Sequence, residues 1–240
     1  MVDQNDLNYI ARTAFRDIAD QDYITARWCY KSRLSIQFCW MAQQCIEKYL
    51  KATLLFNKQS TTGLNHNIIK AFHRLKENPN FKFELTKETN DFLAYINEYG
   101  PARYLEWPTL VFDRELEKLD KTVWELRLYC RPITDFKCRG KVISTIGDEE
   151  NDIEKWLSSK TPFKFRITNG YLEKVLSNEK SPHREPLIWA NKFFGNRKNN
   201  TKINKYVHMR TPVHEFSMEK AIELKDYITI PKSIIDKIKP

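Results

Sequence analysis

A second helix is expected from near Asp22 to Lys58 with at most a short break, and because it is apolar on more than one face no other feature restricts the fold as much. Leu34, Phe38, Met41, Ala42, Cys45, Tyr49, Ala52, Thr53 and Phe56 recur at helical spacing, and Ile36, Trp40, Ile46, Leu50 and Leu54 fill further faces. A helix that is apolar most of the way round is stable only at the centre of a bundle. The first 130 residues supply its neighbours. Leu7, Ile10, Ala11, Ala14 and Ile18 mark a helix with Asp6 as its N-cap. Asn65 or Asn67 caps a short helix that runs to Leu75 and ends at Asn78-Pro79-Asn80. Thr86 caps a helix from Lys87 to Tyr99, stopped by Gly100-Pro101. A last helix is expected from Val111 to Tyr129, closed by Arg131-Pro132.

The expected fold is therefore mainly all-α: an antiparallel up-and-down bundle of about five helices over residues 1–130. A smaller, mixed, mostly helical region is expected over residues 131–240. Only 6 Gly and 10 Pro occur in 240 residues, which argues against a sandwich or barrel. In the second region Gly147–Leu157 reads as a helix and Phe163–Ile167 as a short alternating strand. Further helices are read from Thr168 or Asn169 to Leu176, from Arg184 to Phe194, and from Met218 to Tyr227 after a Ser217 cap.

No stretch is long and apolar enough for a transmembrane helix, and Met1–Asp6 lacks the character of a signal peptide. Five cysteines without a CxxC pair suit free thiols in a reducing cytoplasm, with no metal site. Charge is uneven. Residues 1–130 carry 18 Lys and Arg against 17 Asp and Glu, whereas residues 131–240 carry 22 against 14. The excess points to an anionic partner for the second half. It concentrates in Lys192, Arg197, Lys198, Lys202, Lys205 and Arg210, a run without acidic residues and interleaved with Phe193, Phe194 and Tyr206. Basic and aromatic residues together suit phosphate contact and base stacking, although Gly195–Asn200 also reads as an ordinary exposed loop.

The apolar central helix carries a polar stripe. Gln43, Glu47 and Lys51 share one face at i, i+4 and i+8, and Gln44, Lys48 and Lys51 an adjacent one. Buried polar groups need partners, so the stripe is either a satisfied structural network or a ligand-facing surface.

The segment Met41–Ala52, with Gln43-Gln44, Glu47-Lys48 and Lys51-Ala52, resembles the central helix of the HEPN domain family. Asp17 or Asp22 before it, His66 after it, and Tyr99–Tyr104 with Arg103 before the last helix follow that family's order. The resemblance implies a homodimer that binds nucleotides or nucleic acid, chiefly RNA, without a cofactor. It also implies a setting such as a defence or toxin–antitoxin system. Gln44, Lys48, Lys51, Arg103 and Tyr104 would meet the ligand, with Arg103 foremost because Arg beside an aromatic suits phosphate and base.

Ribonucleases of the family use an Arg followed, after four to six residues, by a His. No His follows Arg103 at that distance, and only three residues, one of them Pro212, separate Arg210 from His214. The family's non-nuclease branch, which binds nucleotides or partners nucleotidyltransferases, is the reading favoured. One alternative is a divergent, metal-independent ribonuclease or toxin using His66, Arg103, His208 or His214. Another is an interaction partner of a separate nucleotidyltransferase.

Overall fold

The computed structural model describes residues 2–100, 109–112, 114–132, 136–138, 141–143, 150–195, 207–210, 212–228 and 230. Its core is the expected helical bundle. Helix α1 (Gln4–Ile10) passes through a π-helical stretch, Ala11–Arg16, into α2 (Asp17–Lys31). The N-cap is Asp3 rather than Asp6. The Asp3 carboxylate accepts from the Asp6 amide at 2.8 Å, and the Asp6 carboxylate accepts from the Asp3 amide. The expected break before Asp22 is also absent, since no Gly or Pro interrupts the run and the π stretch absorbs the extra residue. The helix expected from near Asp22 to Lys58 is divided in two by a turn at Ser32–Leu34, where Arg33 takes a left-handed conformation, φ 63°.

Helix α3 (Ser35–Phe56) then runs back along the α1–α2 rod. Gln4 donates to the Leu55 and Phe56 carbonyls at one end, and Lys48 pairs with Asp22 further along. Helix α4 (Ile68–Lys76) is capped by Asn67, whose side chain accepts from the Lys70 amide at 2.8 Å. Helix α5 (Lys87–Tyr99) and α6 (Glu115–Tyr129) lie antiparallel, joined by Lys121 to Glu88 at 2.7 Å and by Thr86 to Glu125. Phe38, Ala42, Cys45, Ile46, Tyr49, Leu50 and Leu54 of α3 are completely buried, which places that helix at the centre.

Two short ladders depart from the helical expectation. Thr109–Phe112 is strand β1, not the start of the last helix, because β-branched and aromatic residues there suit a pleated backbone. It pairs antiparallel with β4 (Val207–Arg210), Thr109 opposite Arg210. Strands β2 (Phe136–Cys138) and β3 (Lys141–Ile143) form the second ladder.

Beyond α6 come α7 (Glu150–Leu157), α8 (Tyr171–Ser177), α9 (Arg184–Ile188) and α10 (Met218–Glu223). The strand expected over Phe163–Ile167 is not formed. Pro162–Lys164 is a 3₁₀ turn, and the alternation records Phe165 and Ile167 inserting into the bundle. The helix expected to reach Phe194 ends at Ile188, because the carbonyls of Pro186 and Trp189 turn to the buried guanidinium of Arg27. Ile153, Phe165, Ile167, Leu172, Val175, Leu187 and Phe194 join the same buried cluster as the bundle, so the core continues past Arg131-Pro132. Val213, Ala221 and Ile230 form a separate small cluster. No helix among the described residues is long and apolar enough to cross a membrane.

Candidate functional site

The polar stripe of α3 converges on one exposed residue. Glu47 is buried, and its two carboxylate oxygens face different partners. Oε1 accepts from Lys51 Nζ at 2.5 Å, and Oε2 lies 3.0 Å from His66 Nδ1. Gln43, also buried, donates to the His66 carbonyl at 3.3 Å, and Lys51 donates to the Asn65 carbonyl at 3.2 Å. The three residues that share a face at i, i+4 and i+8 thus fix the backbone and ring of the Asn65–Asn67 turn. Asn65 holds a left-handed conformation there, φ 50°, and the Asn97 side chain of α5 accepts from the Ile68 amide at 2.9 Å.

The His66 side chain itself is 70% exposed. With Glu47 accepting, Nδ1 carries a proton. Nε2 is then an acceptor in the neutral ring and a second donor in imidazolium.

The adjacent face is paired along its length. Lys48 binds Asp22 of α2 and approaches Gln44 Oε1 at 3.5 Å. Lys48, Lys51 and Asp22 are all partly exposed, so these ion pairs sit at the rim of the bundle. Helix α5 ends against the same edge. A Cβ on Gly100 would come within 2.5 Å of Gln43 Cβ, so the close approach of the two helices requires glycine.

The remaining candidates separate. Arg103, Tyr104, Arg197, Lys198, Lys202 and Lys205 lie outside the described residues. Lys192 is in an ion pair with Glu117 at 2.8 Å. His208 and Arg210 fall on β4, opposite Val111 and Thr109, and His214 falls in the 3₁₀ turn Pro212–Glu215. Phe193 packs on Trp124 at 5.5 Å between ring centres. Cys29, Cys39, Cys45 and Cys130 are free and buried, and burial pushes the Cys39 and Cys130 thiols up to about 12, so they are poor nucleophiles. Among the described residues no group of three or more His, Cys, Asp or Glu is placed to hold a metal ion.

A larger polar network lies elsewhere in the bundle, and the motifs quoted above did not reveal it. Asp20 pairs with Arg127, and Arg27 with Asp120, all four fully or almost fully buried. Tyr49 donates to Asp20, and Tyr23 donates to Asp120 at 2.7 Å. The network holds the C-terminal segment. Asp20 accepts from the Leu172 amide, and Arg127 grips Glu173 at 2.7 and 2.8 Å. Arg27 takes the Pro186 carbonyl at 2.9 Å, and Asn191 donates to Tyr23 at 2.9 Å. Burial alone would weaken the proton affinity of Arg127, but Asp20 and Glu173 outweigh it and push it well above its ordinary value. Burial likewise raises the pKa of Glu173, yet Arg127 and the Ile167 amide outweigh it and hold the carboxyl below its usual value. A sequence signal existed. Asp20 and Arg27 are seven residues apart on α2, as are Asp120 and Arg127 on α6, so antiparallel packing aligns opposite charges twice.

Residues 13–129 match the family model of the HEPN domain. No curated protein and no solved structure matches the chain.

Proposed function

Given that residues 13–129 are a HEPN domain, we propose that the protein is a nucleotide- or RNA-binding module that uses the α3 edge as its contact surface. Lys48, Lys51 and Gln44 would face the ligand together with Arg103 and Tyr104. The observation that carries the reading is the convergence of Gln43, Glu47 and Lys51 on a solvent-facing His66, beside the point where α5 ends at Gly100. Arg103 follows Gly100 by three residues in the sequence. None of the five histidines, 66, 73, 183, 208 and 214, follows an Arg with the four to six residues between them that the family's ribonucleases use, which favours binding over cleavage.

In this reading the protein acts as a homodimer in the cytoplasm, in a defence or toxin–antitoxin setting. Residues 1–130 form the binding bundle, and residues 131–240 add a basic extension. Light scattering should report about twice 28.7 kDa, and a clean monomer would remove the dimer. The basic run from Lys192 to Arg210 is a secondary contact. Binding of single-stranded RNA, followed by fluorescence anisotropy, should weaken with salt at a log–log slope of about −2, as for about three phosphate contacts. Arg103→Ala should weaken binding at every salt concentration. Exchanging Arg197, Lys198 and Lys202 for Ala should flatten the slope. RNA that fails to bind the wild type even at low salt sinks the reading.

A second reading, a metal-independent ribonuclease, rests on the carboxylate-held imidazole of His66. Cleavage of total RNA in chelator, lost in His66→Ala, would establish it.

A further inference from the structure

We propose that His66 is a proton-linked phosphate contact: its imidazolium Nε2 donates to a phosphate oxygen of single-stranded RNA, while Glu47 fixes the ring. The inference rests on the RNA-binding reading of the α3 edge and adds how that edge is regulated.

Three side chains of one α3 face hold this turn. Gln43 takes the His66 carbonyl, Lys51 the Asn65 carbonyl, and Glu47 the ring nitrogen Nδ1. Two of the three, Gln43 and Glu47, are buried. The ring they orient is 70% exposed, so it gains little from packing. A turn needing only to be tied down would be served by its backbone carbonyls. Holding the ring as well fixes the direction of Nε2.

The charges around the ring decide when Nε2 attracts an anion. Glu47 of α3 contacts the ring and Lys51 the Asn65 carbonyl beside it, while Lys70 of α4 donates to the Gly63 carbonyl at 2.9 Å. Asn97 of α5 is neutral and occupied by the Ile68 amide. The N-terminal end of α4 adds a partial positive field next to the turn. Lys51 neutralises Glu47, so a neutral ring contributes no charge at this edge and a protonated ring contributes one positive charge. Histidine changes charge between about pH 5 and pH 8. Because a bound phosphate raises the affinity of the ring for its proton, the extra binding is present at the acid end. The open setting of the ring favours a polymer backbone over an enclosed mononucleotide.

The test is anisotropy of a fluorescein-labelled single-stranded oligouridylate, at constant salt, across about pH 5 to pH 8. The wild type should bind about tenfold tighter at the acid end, the effect of one charge-assisted hydrogen bond at an exposed site. His66→Gln, which alters an exposed side chain, should keep the melting temperature but lose the pH dependence of binding. In the wild type, the His66 ring nitrogen resonances should shift when the oligonucleotide is added. An unchanged pH profile in His66→Gln, or a silent ring, overturns the proposal while leaving RNA binding in place. ATP binding with the pH dependence while the oligouridylate binds without it also overturns the proposal. Absence of any oligouridylate binding overturns the RNA-binding reading itself.

Discussion

Two polar networks in this bundle use the same chemistry and end differently. Between α2 and α6, Asp20, Arg27, Asp120 and Arg127 are sealed from water, and the partners described for them are protein groups: the Tyr23 and Tyr49 hydroxyls, the Leu172 amide, the Glu173 carboxylate and the Pro186 and Trp189 carbonyls. Along α3, Gln43, Glu47 and Lys51 hold a turn whose imidazole faces solvent. The first network is closed and joins residues 150–195 to the bundle. The second is open at one nitrogen. The more deeply buried network is bound to protein groups at every charge, with Arg127 Nε alone among its nitrogens left without a hydrogen-bond partner.

The closed network depends most on Arg127. Arg127→Leu leaves Asp20 buried without its cation and releases Glu173, which should cost about 3–5 kcal/mol. Thermal unfolding followed by circular dichroism measures the loss. A variant as stable as the wild type would mean that the closed network does not hold the fold. Tyr49→Phe removes one donor to Asp20 and should cost about 1–3 kcal/mol in urea unfolding.

Acid should act on the closed network next. Glu173 has its folded pKa lowered, so its contribution to stability is fully present above about pH 4.5 and is lost as pH falls through the lowered value. The stability gap between wild type and Glu173→Gln should therefore shrink below about pH 4.5, and a gap constant with pH would contradict the assignment. The smallest effect belongs to the open network. His66→Gln should change stability by no more than about 0.5 kcal/mol, since an exposed side chain is altered. A large loss of stability would make His66 a structural residue.

The sequence made the open edge legible and concealed the closed one. Gln43, Glu47 and Lys51 lie on one helix at fixed spacing, so a helical reading brings them together, and the Asn65–Asn67 turn follows within the same stretch. Asp20 and Arg127 are 107 residues apart, and Glu173 lies 46 beyond Arg127. Only the packing of α2 on α6 and α8 unites them. The seven-residue spacing of Asp and Arg on both helices was a signal, but it becomes meaningful once those helices are known to be antiparallel neighbours. Most of the helices were legible from periodicity and caps, Asn67 and Ser217 among them. Misplaced boundaries arose where burial imitated another pattern. Phe163–Ile167 alternates because Phe165 and Ile167 insert into the core, and Val111–Phe112 continues an apolar run although it pairs with β4. The break at Ser32–Leu34 has no Gly or Pro to announce it.

In the proposed function the open edge of α3, not the closed network, meets the ligand. Titrating isotope-labelled protein with a single-stranded oligoribonucleotide and following amide and side-chain resonances tests it most directly. Shifts should concentrate at Gln44, Glu47, Lys48, Lys51 and His66, while Asp20, Arg27, Asp120 and Arg127 remain unmoved. Shifts centred on the α2–α6 network, with His66 and Lys51 silent, would contradict it.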